Sequence, residues 1–494
     1  MPEEVVYDEW MSEGDALIWQ IERDPLLRST VVSVWVLDRA PDPSRWRETV
    51  ERSVAAIPRL RQRVVEDSFG IAPPRWEIDP HFDLGYHVRT GRVGGDGSVR
   101  SLFDLAAPIA MQAFDKDRPL WEFHLVDGLS EGRAGVIMKI HHAVSDGMGM
   151  VRMTESMVET TREPDAEWIA RRDARLAAQH QELRSEPLSE LDQLREAVAH
   201  RADSFAERAA RFGRALGRGV GHVAANPVAA AERLRDKAGS LGRLLQPVSE
   251  PLSPIMTGRS LTTHLDGMIV PVEALKRAGK ATPGGTLNDA FVASVAGGLR
   301  IYHDRHGASV EELRMNMPVN VREGAEGQKA GNQFVPARFA VPIAIADPTE
   351  RMCAIHEIVT RLRAEPAMGM IDDVNTLFTR LGSRIATGLA GSMMKALDFV
   401  TSNVPGPRRP IYTAGARILH MYPFGPLAGA AANITLFSYA GEAQIGINTD
   451  TAPVPDPDVF RECLEEGFAE VLATGGGEAA TDALSEPKRA PRDA

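Results

Sequence analysis

Two adjacent histidines followed by an aspartate and a glycine form the stretch of this chain best suited to chemistry. Residues 141–147 read H-H-A-V-S-D-G, a motif of the form H-H-x-x-x-D-G, and they directly follow an apolar run at residues 134–140. Such a run is typical of a buried β-strand. Because neutral imidazole readily removes a proton near pH 7, the motif predicts a histidine base at a strand end.

The two histidines are expected to have different roles, because neighbouring side chains of a strand point to opposite faces. We predict that His142 is the general base and that His141 packs or hydrogen-bonds on the far side. His142-x-x-x-Asp146 can close into a local turn, which Asp146 would orient by pairing with a basic residue that the sequence does not identify. Gly147 would give the turn backbone freedom and leave room for a ligand.

Two other interpretations of the motif are open. The histidines could be ordinary core side chains before an Asp-Gly turn, but four residues of suitable type at fixed offsets favour a functional role. They could also bind a metal. Adjacent histidines of a strand diverge, and no third His, Cys or Glu lies at ligand spacing, so we predict no metal site.

Composition excludes several classes of protein. The 494 residues suggest two or three domains, and the 43% hydrophobic content is ample for large cores. The net charge of −12 argues against nucleic-acid binding. Two cysteines are too few for a disulfide framework and suit a reducing cytoplasm. The acidic N-terminus does not have the pattern of a signal peptide, and no apolar run is long enough to span a membrane.

The periodicity of apolar residues predicts the elements that position the motif. Strands are expected at residues 29–38, 83–90, 119–126, 134–140, 261–272, 313–319, 334–345, 432–439 and 443–449. Helices are expected at residues 44–57, 147–161, 272–275, 286–303, 349–365 and 368–399, and from residue 456. Ser44 is expected to cap the first of these helices, and residues 401–407 to form a rigid turn. Strands alternating with helices indicate an α/β sandwich.

Residues 162–250 have a different composition, in which charged residues and alanine dominate and no strand pattern occurs. We interpret them as a helical connector between two halves. Within it, residues 201–243 contain nine Arg and Lys against four Asp and Glu, with an apolar stripe between the arginines. A basic amphipathic helix can lie on a membrane or a lipid body, and the same pattern also suits a helix packed on its own protein. From residue 474 the composition predicts a disordered tail.

The motif resembles that of the chloramphenicol-acetyltransferase-like superfamily, which includes peptide synthetase condensation domains. Its context resembles one branch, the bacterial wax ester synthase/acyl-CoA:diacylglycerol acyltransferase family. The matching pieces occur in the family's order over about residues 10 to 470 and are Pro58-Arg59-Leu60-Arg61-Gln62-Arg63, Phe82-Asp83-Leu84 with His87-Val88-Arg89, Asp117-Arg118-Pro119-Leu120-Trp121-Glu122, Thr286-Leu287-Asn288-Asp289, Gly331-Asn332-Gln333 and Ser402-Asn403-Val404-Pro405-Gly406-Pro407. The H-H-x-x-x-D-G motif alone indicates only the superfamily, whereas the Pro-Leu-Trp, Asn-Asp and Asn-Val-Pro-Gly-Pro pieces together point to the branch.

The resemblance implies two chloramphenicol-acetyltransferase-like α/β sandwich subdomains joined by a helical connector, with an active-site tunnel between them. The expected divisions are 1–161 for the half with the motif, 162–253 for the connector, 254–473 for the second half and 474–494 for the tail. Substrate-binding candidates in the second half are Asn288, Asp289, Gln333, Ser402 and Asn403. For Asn288 and Asp289, stabilisation of a helix start is an equally good explanation.

The resemblance also implies the reaction. The chain contains no G-x-S-x-G, P-loop or H-E-x-x-H motif, and a base without a protein nucleophile favours direct transfer. The expected enzyme is an O-acyltransferase that moves a long-chain acyl group from acyl-CoA to diacylglycerol or a long-chain alcohol, without an acyl-enzyme. Acyl-CoA is a co-substrate and no cofactor is expected. Arg59, Arg61 and Arg63 could contact acyl-CoA phosphates or form a solvated helix end.

Two alternatives remain open from the sequence. One is a condensation-type acyltransferase that takes its acyl group from a carrier-protein thioester. The other is a non-catalytic lipid or acyl-CoA binding protein that keeps an inherited motif. The expected location is the cytoplasm, with peripheral contact at the inner membrane or at lipid bodies possible through the basic connector.

Overall fold

The structure is a computed structural model that describes residues 7–67, 72–144, 147–178, 191–204, 250–320, 334–363, 388 and 391–476. Its described strands form two six-stranded sheets and a separate two-stranded hairpin. Helices pack on both sheets, and the predicted α/β character follows from this arrangement. In this part of the chain, no helix combines the length and apolar character that crossing a membrane requires.

The first sheet contains the strand that precedes the histidine motif. Its strand order is β11-β12-β1-β6-β5-β4, and every neighbouring pair is antiparallel except β4 and β5. Its strands are β1 (Thr30–Leu37), β4 (Val88–Arg92), β5 (Trp121–Asp127), β6 (Ala134–His141), β11 (Tyr412–Thr413) and β12 (Ala416–Phe424). Every residue of β6 is buried, as the continuous apolar run at 134–140 predicts.

The second sheet is built from the C-terminal part of the chain, in the order β7-β14-β13-β10-β8-β9. Its strands are β7 (Thr263–Pro271), β8 (Glu312–Asn320), β9 (Phe334–Pro342), β10 (Phe399–Pro405), β13 (Ala432–Tyr439) and β14 (Glu442–Asp450). The hairpin consists of β2 (Gln62–Val65) and β3 (Arg75–Ile78). Strand β10 runs parallel to both β13 and β8, whereas the other pairs are antiparallel.

Ten helices of the described residues have defined bounds: α1 (Glu13–Ile21), α2 (Pro43–Ala56), α3 (Leu84–His87), α4 (Val99–Met111), α5 (Gly147–Met157), α6 (Ala166–Ala178), α7 (Val272–Lys280), α8 (Leu287–Arg305), α9 (Pro348–Arg363) and α10 (Pro457–Ala473). Residues 191–204 are also helical. Helix α6 and residues 191–204 are the described part of the predicted connector, which stays a prediction, while most of the basic stretch at 201–243 lies outside the described residues.

Both faces of the first sheet are covered, each by a different core. On one face Trp35, Trp121 and Met138 pack with residues of α1 and α2. On the other face Ile137 and Val34 pack with α4 and with Leu265 of β7. Helix α4 therefore lies where the first sheet meets the second half of the chain.

Two strands of the predicted C-terminal half complete the first sheet. Strand β12 pairs with Val32–Leu37 of β1 through its residues 418–424, and β11 extends the same edge. The prediction of two successive halves did not include C-terminal strands in the first sheet. Pairing between strands far apart in the chain leaves no local sequence pattern. The boundaries at 161, 253 and 473 stay a prediction.

Most predicted strands and helices lie close to the observed ones, but several local predictions are wrong. Residues 83–87 are not strand, because the Asp83 carboxylate accepts the Gly85 N–H at 2.8 Å and caps the short helix α3. Asp42, and not Ser44, caps α2 by accepting the Arg45 N–H at 2.9 Å. Helix α5 ends at Met157 instead of Thr161, and β9 ends at Pro342.

The region around residues 399–407 also differs from its prediction as a rigid turn after a helix. Residues 399–405 form β10, with Phe399 and Thr401 fully buried beside β13. Pro405 is the last residue of the strand, where the missing N–H costs little. Residues 391–395 are helical as expected, whereas residues 364–387 lie outside the described part.

Candidate active site

His141 is the last residue of β6, and each nitrogen of its ring has a polar neighbour. Nδ1 accepts the Ala143 backbone N–H at 3.0 Å, so in the neutral ring the proton lies on Nε2. That nitrogen lies 2.9 Å from Glu22 Oε1, and the residue is 1% exposed. Trp19 and Phe114 pack against the ring in edge-to-face contacts, with ring centroids 5.8 and 6.0 Å from that of His141. The His141 ring therefore lies inside the protein.

His142 lies just beyond the strand, as the first residue of a turn. Its backbone N–H donates to Ser29 O at 2.8 Å, and the Val144 N–H closes the turn by donating to His141 O at 3.0 Å. The residue is half-buried and its Nδ1 is inaccessible to solvent. The two rings are thus in different surroundings, although the difference arises at a strand end and not from alternation along the strand.

The rest of the motif is only partly described. Asp146 and Ser145 lie outside the described residues, so the basic partner predicted for Asp146 stays a prediction. Gly147 is the first residue of α5. The motif therefore links the buried strand β6 directly to the start of a helix.

Glu22 is a residue of the site that the sequence did not reveal. Besides His141, its Oε1 accepts the Ser29 N–H at 2.5 Å. Burial raises the pKa of Glu22, but the hydrogen bond and charge of His141 outweigh it, so the net pKa lies below its usual value. Ser12 and Asp15 form a helix-start pattern that predicts α1, but nothing in the sequence pairs the helix end with His141.

A buried charged cluster lies next to the motif on the same sheet. Glu122 of β5 faces Lys139 of β6 across the strand pair, with Glu122 Oε1 3.5 Å from Lys139 Nζ. Arg89 and His124 approach the other carboxylate oxygen at 3.5 and 3.3 Å. Burial raises the pKa of Glu122, but these partners lower it to about 2. Burial lowers the pKa of Lys139, and Glu122 opposes this effect.

Of the predicted substrate-binding residues, Asp289 has a structural role at the start of α8. Its carboxylate accepts the N–H of Thr286 at 2.8 Å, which completes a capping box, and lies 3.0 Å from His356 Nδ1. The neighbouring Asn288 is half-buried, with its amide nitrogen 3.6 Å from Met317 Sδ. The helix-start explanation therefore accounts for Asp289.

The other predicted binding residues are in β10 or beyond the described part. Ser402 is half-buried and Asn403 is exposed on β10, where they pair with Thr435 and Leu436 of β13. Gln333 lies outside the described residues. These side chains stay predictions as substrate contacts.

Arg59 fits neither of its predicted roles. The residue is 4% exposed, and its guanidinium group lies 4.5 Å from the Trp76 ring centroid. It donates to Gln62 Oε1 at 2.5 Å and to Asp8 O at 2.6 Å. Burial lowers its pKa to about 10. Arg59 therefore holds the hairpin and is not available to phosphates or solvent.

One group of described side chains has the spacing of a metal site, and arginines already occupy its surroundings. His264, Asp266 and Asp458 have potential ligand atoms within 4.8 Å of one another. Arg100 Nη1 lies 3.2 Å from both Asp266 Oδ2 and His264 Nε2, and Arg461 lies 3.6 Å from the same carboxylate oxygen. Guanidinium groups thus compensate the charge that would attract a cation.

Known proteins match the chain over most of its length. A family model described as wax ester synthase/diacylglycerol acyltransferase catalytic domain matches residues 11–291, and a WS/DGAT C-terminal domain model matches residues 330–471. A Mycobacterium tuberculosis protein named as a diacylglycerol O-acyltransferase is 35% identical over 474 residues, which are 94% of this chain and 92% of that protein. A second, 29% identical over 485 residues, covers 94% and 97%.

Solved structures match the fold. The wax ester synthase/diacylglycerol acyltransferase from Marinobacter aquaeolei has a TM-score of 0.60 and 20% identity, over 95% of this chain and all of that chain. The first condensation domain of the calcium-dependent antibiotic synthetase has a TM-score of 0.59 and 18% identity, over 97% of each chain. They confirm the predicted chloramphenicol-acetyltransferase-like α/β fold with two sheet-containing domains. The tunnel between the subdomains stays a prediction.

Proposed function

Because the chain belongs to the wax ester synthase/diacylglycerol acyltransferase family, we propose that it transfers a long-chain acyl group from acyl-CoA to diacylglycerol or a long-chain alcohol, with His142 as general base. The resemblance that the motifs indicated is confirmed by the family models and by the 35% identical relative. The protein is accordingly an acyltransferase. The choice of substrate and the role of each residue are the proposed part.

The observation that carries the assignment of the base is the contrast between the two histidines. The ring of His141 is buried, with Nδ1 hydrogen-bonded to the Ala143 N–H and Nε2 2.9 Å from Glu22, so neither nitrogen is open to a substrate. His142 is half-buried at the start of the turn, and its backbone is held by Ser29. A general base needs access to substrate together with a defined position.

In the proposed reaction, His142 removes the proton from the acceptor hydroxyl while that oxygen attacks the thioester carbonyl of acyl-CoA. Hydrogen-bond donors around the carbonyl would stabilise the tetrahedral oxyanion. The carbon–sulfur bond then breaks, and the coenzyme A thiolate takes the proton from the His142 imidazolium. Ester and free coenzyme A are the products, and no acyl-enzyme forms. Peripheral association with a membrane or lipid body would bring the enzyme to its apolar acceptor.

The test is an assay of coenzyme A thiol release from palmitoyl-CoA, run in parallel with hexadecanol and diacylglycerol and followed by separation of the ester products. His142→Ala should lower kcat by about a hundredfold or more, since general bases contribute about 10² to 10⁴ in rate. Unchanged acyl transfer by the folded variant would refute the base assignment.

The same assay separates the alternatives. Acyl transfer from acyl-carrier protein but not from palmitoyl-CoA would identify a condensation-type enzyme. Binding of palmitoyl-CoA without thiol release with either acceptor would identify a non-catalytic binding protein.

A further inference from the structure

One carboxylate oxygen connects α1 to the backbone on both sides of His142. Glu22 Oε1 lies 2.9 Å from His141 Nε2 and accepts the backbone N–H of Ser29 at 2.5 Å. The Ser29 carbonyl accepts the N–H of His142 at 2.8 Å, and His141 Nδ1 accepts the N–H of Ala143 at 3.0 Å. The backbone N–H groups of His142 and Ala143 therefore donate to Ser29 and His141, the same two residues that contact Glu22.

We propose that Glu22 is a positioning residue for His142, acting through the His141 ring and through the Ser29 peptide. The inference rests on the proposed role of His142 as base. In this arrangement the effect of Glu22 on His142 passes through its two partners, His141 and Ser29.

The surroundings of Glu22 make its position well defined. The side chain is 8% exposed, and it follows directly on α1, whose Trp19 packs against the same His141 ring. Burial and these contacts keep the Glu22 side chain in one position. It can therefore fix the positions of His141 and Ser29 as closely as a catalytic site requires.

Position and charge are separable because one oxygen makes both contacts, with the Ser29 N–H and with His141 Nε2. Glu22→Gln keeps an acceptor oxygen at the same distance from the main chain but removes the negative charge. Glu22→Asp keeps the charge but withdraws the oxygen by one methylene, about 1.5 Å. If Glu22 acts by position, the glutamine variant must be the more active of the two.

The experiment measures kcat and KM for palmitoyl-CoA with its preferred acceptor in the full-length parent and both variants, at a temperature well below the thermal transition of each. Glu22→Asp should lower kcat by about tenfold to a hundredfold, because displacement of a catalytic group by about 1 Å can cost this much. Glu22→Gln should keep kcat within about threefold of the parent, because a neutral acceptor retains part of the hydrogen-bond strength. KM should change by less than about twofold in both, since no substrate contact is lost.

The proposal is overturned if Glu22→Asp is as active as Glu22→Gln or more so, if both retain the parent kcat, or if the loss lies in KM. His141→Asn serves as a second variant if Glu22→Asp does not fold. Its side-chain oxygen can replace Nδ1 as the acceptor for Ala143 but cannot reach Glu22, so kcat should fall with KM unchanged. An unaltered kcat in His141→Asn would also overturn the proposal.

Glu66→Gln is the matched control, because Glu66 accepts the Nε1–H of Trp19 at 2.7 Å and pairs with Arg23, and glutamine keeps an acceptor oxygen for Trp19. It should retain the parent kcat. In a His142→Ala background, Glu22→Asp should cause no further loss of the residual rate, and a full additional loss would show an independent role. If His142→Ala itself keeps full activity, the base assignment fails; if it is inactive while Glu22→Asp is fully active, only the positioning role fails.

Discussion

Glu122 keeps its negative charge inside the first sheet because two cationic side chains and a histidine ring surround its carboxylate. Lys139, Arg89 and His124 lie within 3.5 Å of its carboxylate oxygens. Burial alone would favour the protonated acid, but the opposite charges and the hydrogen bond prevail and lower the pKa to about 2. The cluster lies two residues before the histidine pair on β6, so it supports the strand that presents the motif.

Replacing Glu122 should destabilise the protein in a pH-dependent way. Since its pKa is about 2 in the folded protein and 4.5 ordinarily, its ionised form stabilises the fold above pH 4.5, and this contribution is lost as the pH falls through 2. Glu122→Gln should therefore lower the free energy of unfolding by about 3 kcal/mol at pH 7 and by less than half as much at pH 3. Urea denaturation at both pH values measures the difference.

The control for this prediction is Glu51→Gln, which removes an exposed ion pair with Arg47 and should change the unfolding free energy by less than about 1 kcal/mol at either pH. Glu122→Gln combined with Lys139→Met should recover part of the loss, because no unpaired buried charge remains. A pH-independent loss in Glu122→Gln would contradict the electrostatic explanation.

At the scale of elements, two glycines allow α8 and α10 to pack at close range. A Cβ on Gly298 would lie 2.7 Å from the Leu464 Cα and 2.9 Å from the Cys463 carbonyl oxygen. A Cβ on Gly467 would overlap the backbone nitrogen of Gly298 and the carbonyl oxygen of Ser294. Because the neighbouring atoms are backbone, the helices would have to move apart to admit a methyl group.

Gly467→Ala should therefore lower the stability of the second half even though alanine is the better helix former. We expect a loss of about 1 to 3 kcal/mol, the usual cost of overpacking a filled core, measured as a lower thermal midpoint. Gly388→Ala is the matched control, because that helical glycine is exposed and has nothing within 4 Å of its potential Cβ. An equal or raised midpoint for Gly467→Ala would show that the helices separate at little cost.

At the scale of the whole molecule, the two halves are joined by packing and also by strand pairing, because the first sheet contains two strands from the C-terminal half. Strand β1 lies between β6 and β12, so the first sheet needs residues 416–424 to cover one edge of β1. Helix α4 adds contacts with β7, and Arg100 of α4 lies 3.2 Å from Asp266 of β7. The first half is therefore incomplete without the second.

This arrangement predicts that residues 1–253 do not fold alone. Without β11 and β12 the fragment would expose an unpaired edge of β1 together with the apolar face that packs on the second half, a combination that favours aggregation. Co-expression with residues 254–494 should restore soluble protein. Size-exclusion chromatography of each fragment alone and of the pair tests this, and a soluble, folded monomer of 1–253 would contradict it.

Much of the fold can be predicted from sequence because the burial of a strand or helix shows in the spacing of its own apolar residues. The buried strand β6 is a continuous apolar run, and the hairpin of β13 and β14 follows from two alternating stretches around a tight turn. At residues 83–87 the local pattern predicted a strand, but the Asp83 carboxylate caps the short helix α3 instead. Hydrogen bonding of one short side chain decides such cases.

The sequence by itself determined the motif, the family and the presence of two different histidines, because residue types at fixed spacing are a local property. Only the tertiary structure decided which groups hold these histidines. Glu22 and Ser29 lie far upstream, and their contact with His141 and His142 depends on how β1 pairs with β6. Similarly, the pairing of β12 with β1 brings the end of the chain back to its beginning. Contacts between distant segments are selected by the burial and hydrogen bonding of the whole fold, and no short stretch of sequence encodes them.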